Sequence, residues 1–181
     1  MIACVGWGSL IWNPRELRTE GSWRHDGPQL PVEFARLSQT GNVTLVIANG
    51  AALVVTLWTE LPYGTVEQAV AALQRREGSG RESIGVWTPK GPGSKTMPGF
   101  PQIAEWAGRR PCDAVVWTAL PPKWANELGR IPRLSEVVEY LRALGDPLRA
   151  TAEQYVRMAP AQIQTRYRRA IEREFGWIPI M

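Results

Sequence analysis

Alternation of apolar and polar positions predicts strands in the first 60 residues. Residues 2–5 are an apolar run typical of a buried strand. Residues 31–38 alternate apolar and polar side chains, which predicts a half-buried strand. Two further strands are predicted over residues 43–48 and 52–59, joined at Asn49-Gly50, which is a strong hairpin signal. We therefore expect the last three strands to form a meander.

A helical period follows over residues 65–77. Thr65 is a predicted N-cap, and Gln68 stands three residues later, as in a capping box. Val66, Val70 and Leu73 share one helical face, so that face should be buried. Gly78 marks the end of this helix.

The remaining segments have weaker signals. Residues 19–31 are polar and predict a loop or irregular hairpin, and residues 90–101 are rich in Gly and Pro. A loop as long as residues 88–101 is often a functional lid or is poorly ordered. We also predict a short strand at 82–87, a short helix at 102–107 and a central strand at 113–120, which is apolar almost throughout.

The last third of the chain is predicted to be helical. Ser135 should cap a helix that ends at Leu144, and Thr151 a second that ends at Met158. Pro160 should start a third helix that ends at Phe175. The arginines of this last helix are interpreted as a solvated face, with phosphate or nucleic-acid contact as the alternative; they are Arg166, Arg168, Arg169 and Arg173.

The length favours a single domain over residues 1–181. The predicted strands and helices make it α+β, with a helical C-terminal third at about 135–176. The chain has no apolar run of the ~20 residues needed to span a bilayer, so we expect no membrane partner. It begins at once with a strand-like segment and shows no secretory signal, so we expect a cytoplasmic location. The oligomeric state cannot be derived from the sequence.

Charge and cysteine content limit the function classes. The net charge of +4 could attract acidic partners, but the basic residues are spread, so no nucleic-acid partner is expected. Cys4 and Cys112 lie in apolar runs and are predicted to be reduced and buried. Two cysteines and one histidine do not suffice for structural zinc, which usually needs four such ligands.

The first strand leads directly into a glycine-bearing loop, Gly6-Trp7-Gly8-Ser9-Leu10-Ile11-Trp12-Asn13-Pro14. Glycine permits positive φ and a close approach of ligand to backbone. Successive free N–H groups over residues 8–10 could then bind a carboxylate or a polarised carbonyl. The alternative is a tight turn with the tryptophans in the core.

This run resembles the opening of the γ-glutamylcyclotransferase superfamily, and its ChaC-like branch most closely. Those proteins begin with a strand that ends in Tyr-Gly-Ser-Leu, often followed by Ile/Met-Trp-Asn-Pro. Trp7 stands here where the family usually has tyrosine. The resemblance implies a mainly antiparallel, barrel-like sheet with surrounding helices, and a substrate loop made of Trp7, Gly8, Ser9 and Leu10.

A second motif carries the candidate chemistry. From the residues alone, Glu77 at the end of its helix is either a general acid/base or a solvated glutamate paired with Arg75, Arg76 or Arg81. The segment Leu73-Gln74-Arg75-Arg76-Glu77-Gly78-Ser79-Gly80 resembles the Leu-x-x-Arg-Glu segment of ChaC-like proteins, whose catalytic glutamate maps onto Glu77. The family's following Gly-Gly-Tyr is absent, since Arg81 and Glu82 stand in that area. The resemblance covers roughly residues 2–85.

The resemblance implies cyclisation of a γ-glutamyl amide to 5-oxoproline with release of an amine, and it implies no cofactor. A non-catalytic module that binds a small acidic or amino-acid-like ligand is the alternative. Cys4 with His25 would be a thiol nucleophile, although Cys4 lies mid-strand. Ser9 lacks the G-x-S-x-G pattern of a serine nucleophile, because residue 11 is isoleucine.

Overall fold

The structure, a computed structural model, describes residues 1–91 and 93–180. Its described part is α+β, as predicted, with five α-helices and several sheets. The residues fall into two compact units, each made of separate stretches of chain. The first unit holds Met1–Gly6, Leu10–Leu30 and Val55–Leu120, and the second holds Trp7–Ser9, Pro31–Val54 and the chain from Pro121 onward. The single domain over residues 1–181 stays a prediction.

The strands are β1 (Ile2–Gly6), β2 (Glu20–Arg24), β3 (Gln29–Leu30), β4 (Val32–Leu37), β5 (Val43–Ile47), β6 (Val54–Val55), β7 (Leu57–Leu61), β8 (Ile84–Trp87), β9 (Ala114–Thr118), β10 (Lys123–Trp124) and β11 (Glu127–Leu128). The helices are α1 (Val66–Glu77), α2 (Phe100–Ala107), α3 (Leu134–Ala143), α4 (Leu148–Met158) and α5 (Arg166–Phe175).

The first unit contains a five-stranded sheet in the order β2-β7-β1-β9-β8. Strand β1 pairs antiparallel with β7 and parallel with β9, and β8 pairs antiparallel with β9. Helix α1 shares a core with this sheet, in which Leu73 packs with Cys4, Ile84 and Val116. Because β2 and β8 are edge strands, the sheet is open. It does not close into the barrel-like form that the resemblance implied.

The second unit contains a four-stranded sheet in the order β11-β10-β4-β5, also open. Strands β4 and β10 run parallel, while β4–β5 and β10–β11 are antiparallel. The β10–β11 hairpin turns at Ala125 and Asn126, whose φ angles are 48° and 65°. Two positive φ values are typical of a type I′ turn, for which Ala-Asn is a weak sequence signal, and this hairpin was not predicted.

One prediction of strand pairing and one prediction of a loop or irregular hairpin are wrong. The turn after β5 forms, with Ala51 N–H donating to the Ala48 carbonyl at 3.0 Å. However, β5 pairs with β4, whereas β7 pairs with β1 and β2, so the chain does not continue as a meander. The polar segment 19–31, predicted as a loop or irregular hairpin, supplies β2 to the edge of the first sheet. A polar strand is possible there because an edge strand need not be buried on either face.

Helix α1 begins and ends as predicted, whereas the later helices begin elsewhere. Thr65 Oγ1 accepts the Gln68 N–H at 3.3 Å, and Gly78 is left-handed at φ 61°. Helix α3 has Arg133 as N-cap rather than Ser135, and α4 follows Pro147, with Thr151 inside it. Helix α5 ends at Phe175 as predicted but starts after Thr165, not at Pro160.

In the described residues, no helix combines the length and the apolar character that crossing a membrane would require.

Candidate active site

Glu77 is the last residue of α1, where Gly78 turns the chain away. The Gly78 N–H donates to the Gln74 carbonyl at 2.9 Å, which closes the final turn of the helix. The Glu77 side chain is 11% exposed. This carboxylate is therefore mostly buried at the end of the helix. The alternative of a solvated glutamate paired with an arginine is wrong as to solvation, whereas its ion pair is found.

Arg76 is the charged partner of Glu77. Its Nη1 donates to Glu77 Oε1 at 2.7 Å, and its side chain is 7% exposed. The guanidinium is anchored on the Asn13 carbonyl, which accepts from Nε at 3.2 Å and from Nη2 at 2.9 Å. Of the three arginines considered from the sequence, Arg76 makes the ion pair, and Asn13 of the glycine-bearing loop fixes its position.

Thr118 brings a second donor to the same carboxylate. It is the last residue of β9, and its hydroxyl donates to Glu77 Oε1 at 3.1 Å. Sequence reasoning did not select Thr118. The available signal was a hydroxyl at the carboxyl end of an otherwise apolar central strand, a position where side chains reach the edge of a sheet.

Cys4 lies in the middle of β1 and is completely buried. Burial, with a smaller contribution from the charge of Glu77, raises the pKa of the Cys4 thiol to about 12. A thiol must be deprotonated to attack a carbonyl, so Cys4 is not a suitable nucleophile near neutral pH. His25, its proposed partner, is exposed.

The predicted substrate loop is divided between the units: Trp7, Gly8 and Ser9 belong to the second and Leu10 to the first. The buried indole of Trp7 donates its N–H to the Leu45 carbonyl at 3.2 Å. Leu10 is 5% exposed and packs in the core of the first unit. Ser9 is half-buried in a turn. The substrate-binding role of these four residues stays a prediction.

The loop glycines serve close packing and not a left-handed backbone. Neither Gly6 nor Gly8 has φ in the left-handed region. A Cβ at Gly8 would lie 2.9 Å from the Tyr155 hydroxyl, which accepts the Leu45 N–H at 3.3 Å. A Cβ at Gly6 would lie 2.8 Å from the Trp23 ring. At both positions an added side chain would require the neighbouring aromatic ring to shift.

A groove of about 480 Å³ runs between α1 and the edge strand β8. Its volume lies in the range of small-molecule sites. Val70, Ala71 and Val86 give it an apolar lining, and Gln74, Arg81 and Thr88 are among its polar groups. Arg81 Nη1 donates to the Ile84 carbonyl at 2.7 Å, which orients the guanidinium at this groove.

Part of the predicted 88–101 loop borders the same groove and is tied to the sheet. Ser94 N–H donates to the Val86 carbonyl at 2.8 Å, and Ser94 Oγ accepts the Val86 N–H at 3.1 Å. The Trp117 indole donates to the Pro98 carbonyl at 3.0 Å. Pro92 lies outside the described residues. The role of residues 88–101 as a lid stays a prediction.

Within residues 1–91 and 93–180, no group of three or more His, Cys, Asp or Glu side chains is placed to hold a metal ion. Comparison with protein-family models and with curated proteins gave no match to the chain.

Proposed function

We propose that this protein is a γ-glutamylcyclotransferase-like enzyme that releases 5-oxoproline and a free amine from a γ-glutamyl amide. The observation that carries the proposal is the Glu77 carboxylate, mostly buried at the end of α1 and held by two donors on one oxygen. A fixed, desolvated carboxylate suits proton transfer. The family fold and the substrate loop belong to the same proposal and rest on the motif resemblance.

In this reaction the α-ammonium group of the substrate loses a proton to Glu77, and the resulting amine attacks the γ-carbonyl carbon of the same molecule. A lactam C–N bond forms and the original amide C–N bond breaks. Glu77 passes its proton to the leaving nitrogen, and the second proton of the new lactam nitrogen ends on the leaving amine as an ammonium group. No water is consumed. The protein's contributions are orientation and proton transfer.

The test is release of 5-oxoproline from a panel of γ-glutamyl amides by the wild type and by Glu77→Gln. We expect the variant to lose ~100-fold or more in kcat, because a general acid/base typically contributes 10²–10⁴. Arg75→Gln, which changes the neighbouring exposed arginine, is the control and should retain activity. Equal rates from the wild type and Glu77→Gln would keep the reaction but exclude Glu77 as the acid/base.

The groove between α1 and β8 favours a second candidate, a module that binds a small acidic ligand without turnover. Its apolar lining and the oriented guanidinium of Arg81 suit a carboxylate with an apolar body. Calorimetric titration with a medium-chain carboxylate such as octanoate tests it. Binding that is retained in Glu77→Gln and lost in Arg81→Met, without product from any amide, would favour the module over the enzyme.

A further inference from the structure

We infer that Thr118 is a positioning residue for Glu77: its hydroxyl fixes Oε1, so that Oε2 is the oxygen that exchanges protons with the substrate. This inference rests on the proposed function. It goes further by assigning separate roles to the two carboxylate oxygens and by giving a role to a residue in neither motif.

The two oxygens of Glu77 have different surroundings. Oε1 accepts from Arg76 Nη1 at 2.7 Å and from the Thr118 hydroxyl at 3.1 Å. Oε2 accepts no hydrogen bond from the part of the chain that the structure describes. An oxygen that already accepts two hydrogen bonds has little capacity left for a further proton donor. The substrate ammonium group is therefore received by Oε2.

The two donors come from different elements. Together they fix the plane of the Glu77 carboxylate as well as the position of Oε1. Arg76 precedes Glu77 on α1 and is tied to the Asn13 carbonyl. Thr118 ends β9, which is paired with β1 on one side and β8 on the other. Thr118 itself lies opposite Ile84 in the β8–β9 ladder. The β8–β9 ladder fixes the backbone at Thr118, so its hydroxyl can hold Glu77 in one rotamer.

Arg76 by itself would leave the carboxylate able to rotate about its contact with Nη1, because this ion pair joins one nitrogen to one oxygen. The Thr118 hydroxyl removes that freedom. Proton transfer requires the acceptor within hydrogen-bond reach of the substrate amine, and a misplacement of about 1 Å can cost ~100-fold in rate. Loss of the Thr118 hydroxyl should therefore reduce kcat more than it affects substrate binding.

The experiment compares Thr118→Val, which keeps the shape of the side chain and removes the hydroxyl, with Thr118→Ser, which keeps the hydroxyl. Rates of 5-oxoproline release are measured on the best γ-glutamyl amide of the panel. We expect Thr118→Val to lower kcat by ~10-fold or more with KM changed by less than ~2-fold, and Thr118→Ser to stay within ~3-fold of the wild type.

Thr59→Val is the matched control, since Thr59 is a buried threonine of the same sheet whose hydroxyl donates to the Glu20 carbonyl at 3.4 Å. It should keep the wild-type kcat. Thr118→Ala provides a second removal of the hydroxyl if Thr118→Val does not fold, as judged by thermal unfolding.

Equal kcat in Thr118→Val and Thr118→Ser would overturn the positioning role, while a loss of activity in Glu77→Gln would keep the proposed function. A similar loss of kcat in Thr118→Ser and Thr118→Val would also overturn the inference, because the hydroxyl would not be the feature that matters. If the wild type releases no 5-oxoproline from any amide, the proposed function and this inference both fail.

Discussion

The guanidinium of Arg168 is completely buried and donates hydrogen bonds to backbone carbonyls. Its Nη1 donates to the Pro160 carbonyl at 2.6 Å, and its Nη2 to the Ala159 carbonyl at 2.7 Å. Its Nε donates to Glu172 at 3.1 Å on the same helix. Burial lowers the pKa of Arg168 from its usual value. The prediction of a solvated arginine face is therefore wrong at this position.

The other arginines of α5 are exposed, as the pattern predicted; they are Arg166, Arg169 and Arg173. A periodic pattern of charges cannot distinguish an arginine that faces water from one that turns inward to unpaired carbonyls. The segment 159–165 before α5 is not helical, and Arg168 Nη2 donates to the Ala159 carbonyl at its start and to the Val156 carbonyl near the end of α4.

Arg168→Met tests this role. We expect a loss of ~3 kcal/mol or more in the free energy of unfolding, because the Ala159 and Val156 carbonyls lose the hydrogen bonds from Arg168 Nη2, at about 1–3 kcal/mol each. Arg169→Met is the control: it removes the next arginine, which is exposed, and should change stability by less than ~0.5 kcal/mol. Chemical denaturation measures both. Equal effects of the two variants would contradict the prediction.

At the scale of elements, strand β4 and helix α5 are joined by Glu33, which is only 4% exposed. Its carboxylate accepts hydrogen bonds from the Thr165 hydroxyl and, at 3.2 Å, from the Tyr167 N–H in the first turn of α5. The Phe34 N–H also donates to it, at 2.9 Å. Helix N-termini stabilise negative charge, which accounts for a carboxylate in this place. The alternation in residues 31–38 predicted the strand but not that its polar face is covered.

Burial raises the pKa of Glu33 above its usual value of about 4.5, despite these hydrogen bonds. The folded state therefore holds the Glu33 proton at pH values where the unfolded chain has lost it. Its contribution to stability is complete below about pH 4.5 and declines as the pH rises towards the folded-state pKa.

We expect the stability of the wild type relative to Glu33→Gln to fall as the pH is raised from about 4. Urea unfolding at several pH values measures this difference. Each tenfold difference in proton affinity between the folded and unfolded states corresponds to about 1.4 kcal/mol. The same series with Glu139→Gln, an exposed glutamate of α3, measures the effect of removing a negative charge without burial. A relative stability that rises with pH would contradict the argument.

At the scale of the whole molecule, the net charge of +4 does not by itself predict a nucleic-acid partner. Many arginines are engaged with carboxylates, which offset their charge. The arginines in ion pairs include Arg76, Arg109, Arg110, Arg130, Arg133, Arg142, Arg157 and Arg168.

We therefore expect no retention of duplex DNA by this protein at about 150 mM salt. Non-specific binding requires several phosphate contacts and weakens steeply as salt rises. A gel-shift or fluorescence-anisotropy titration at low and physiological salt measures it. Tight binding that falls linearly with the logarithm of salt concentration would contradict the prediction and restore the nucleic-acid hypothesis.

Elements whose signals are local could be predicted from the amino-acid sequence alone. Helix α1 has its cap at Thr65 and its left-handed end at Gly78 within one continuous stretch, and both are found where they were predicted. The strands β1, β4, β5 and β9 were also predicted from their apolar patterns. The position of Glu77 at a helix end followed directly from these signals.

The pairing of strands and the contacts between distant polar side chains depend on the tertiary fold. The turn after β5 predicted a hairpin, but pairing depends on which partner buries the apolar face, and β7 pairs with β1 and β2. Thr118 follows Glu77 by 41 positions along the chain, yet its hydroxyl donates to that carboxylate. Such contacts depend on distances between elements, which no periodicity along the chain specifies. The chemistry proposed for Glu77 therefore combines a local signal with neighbours that only folding brings together.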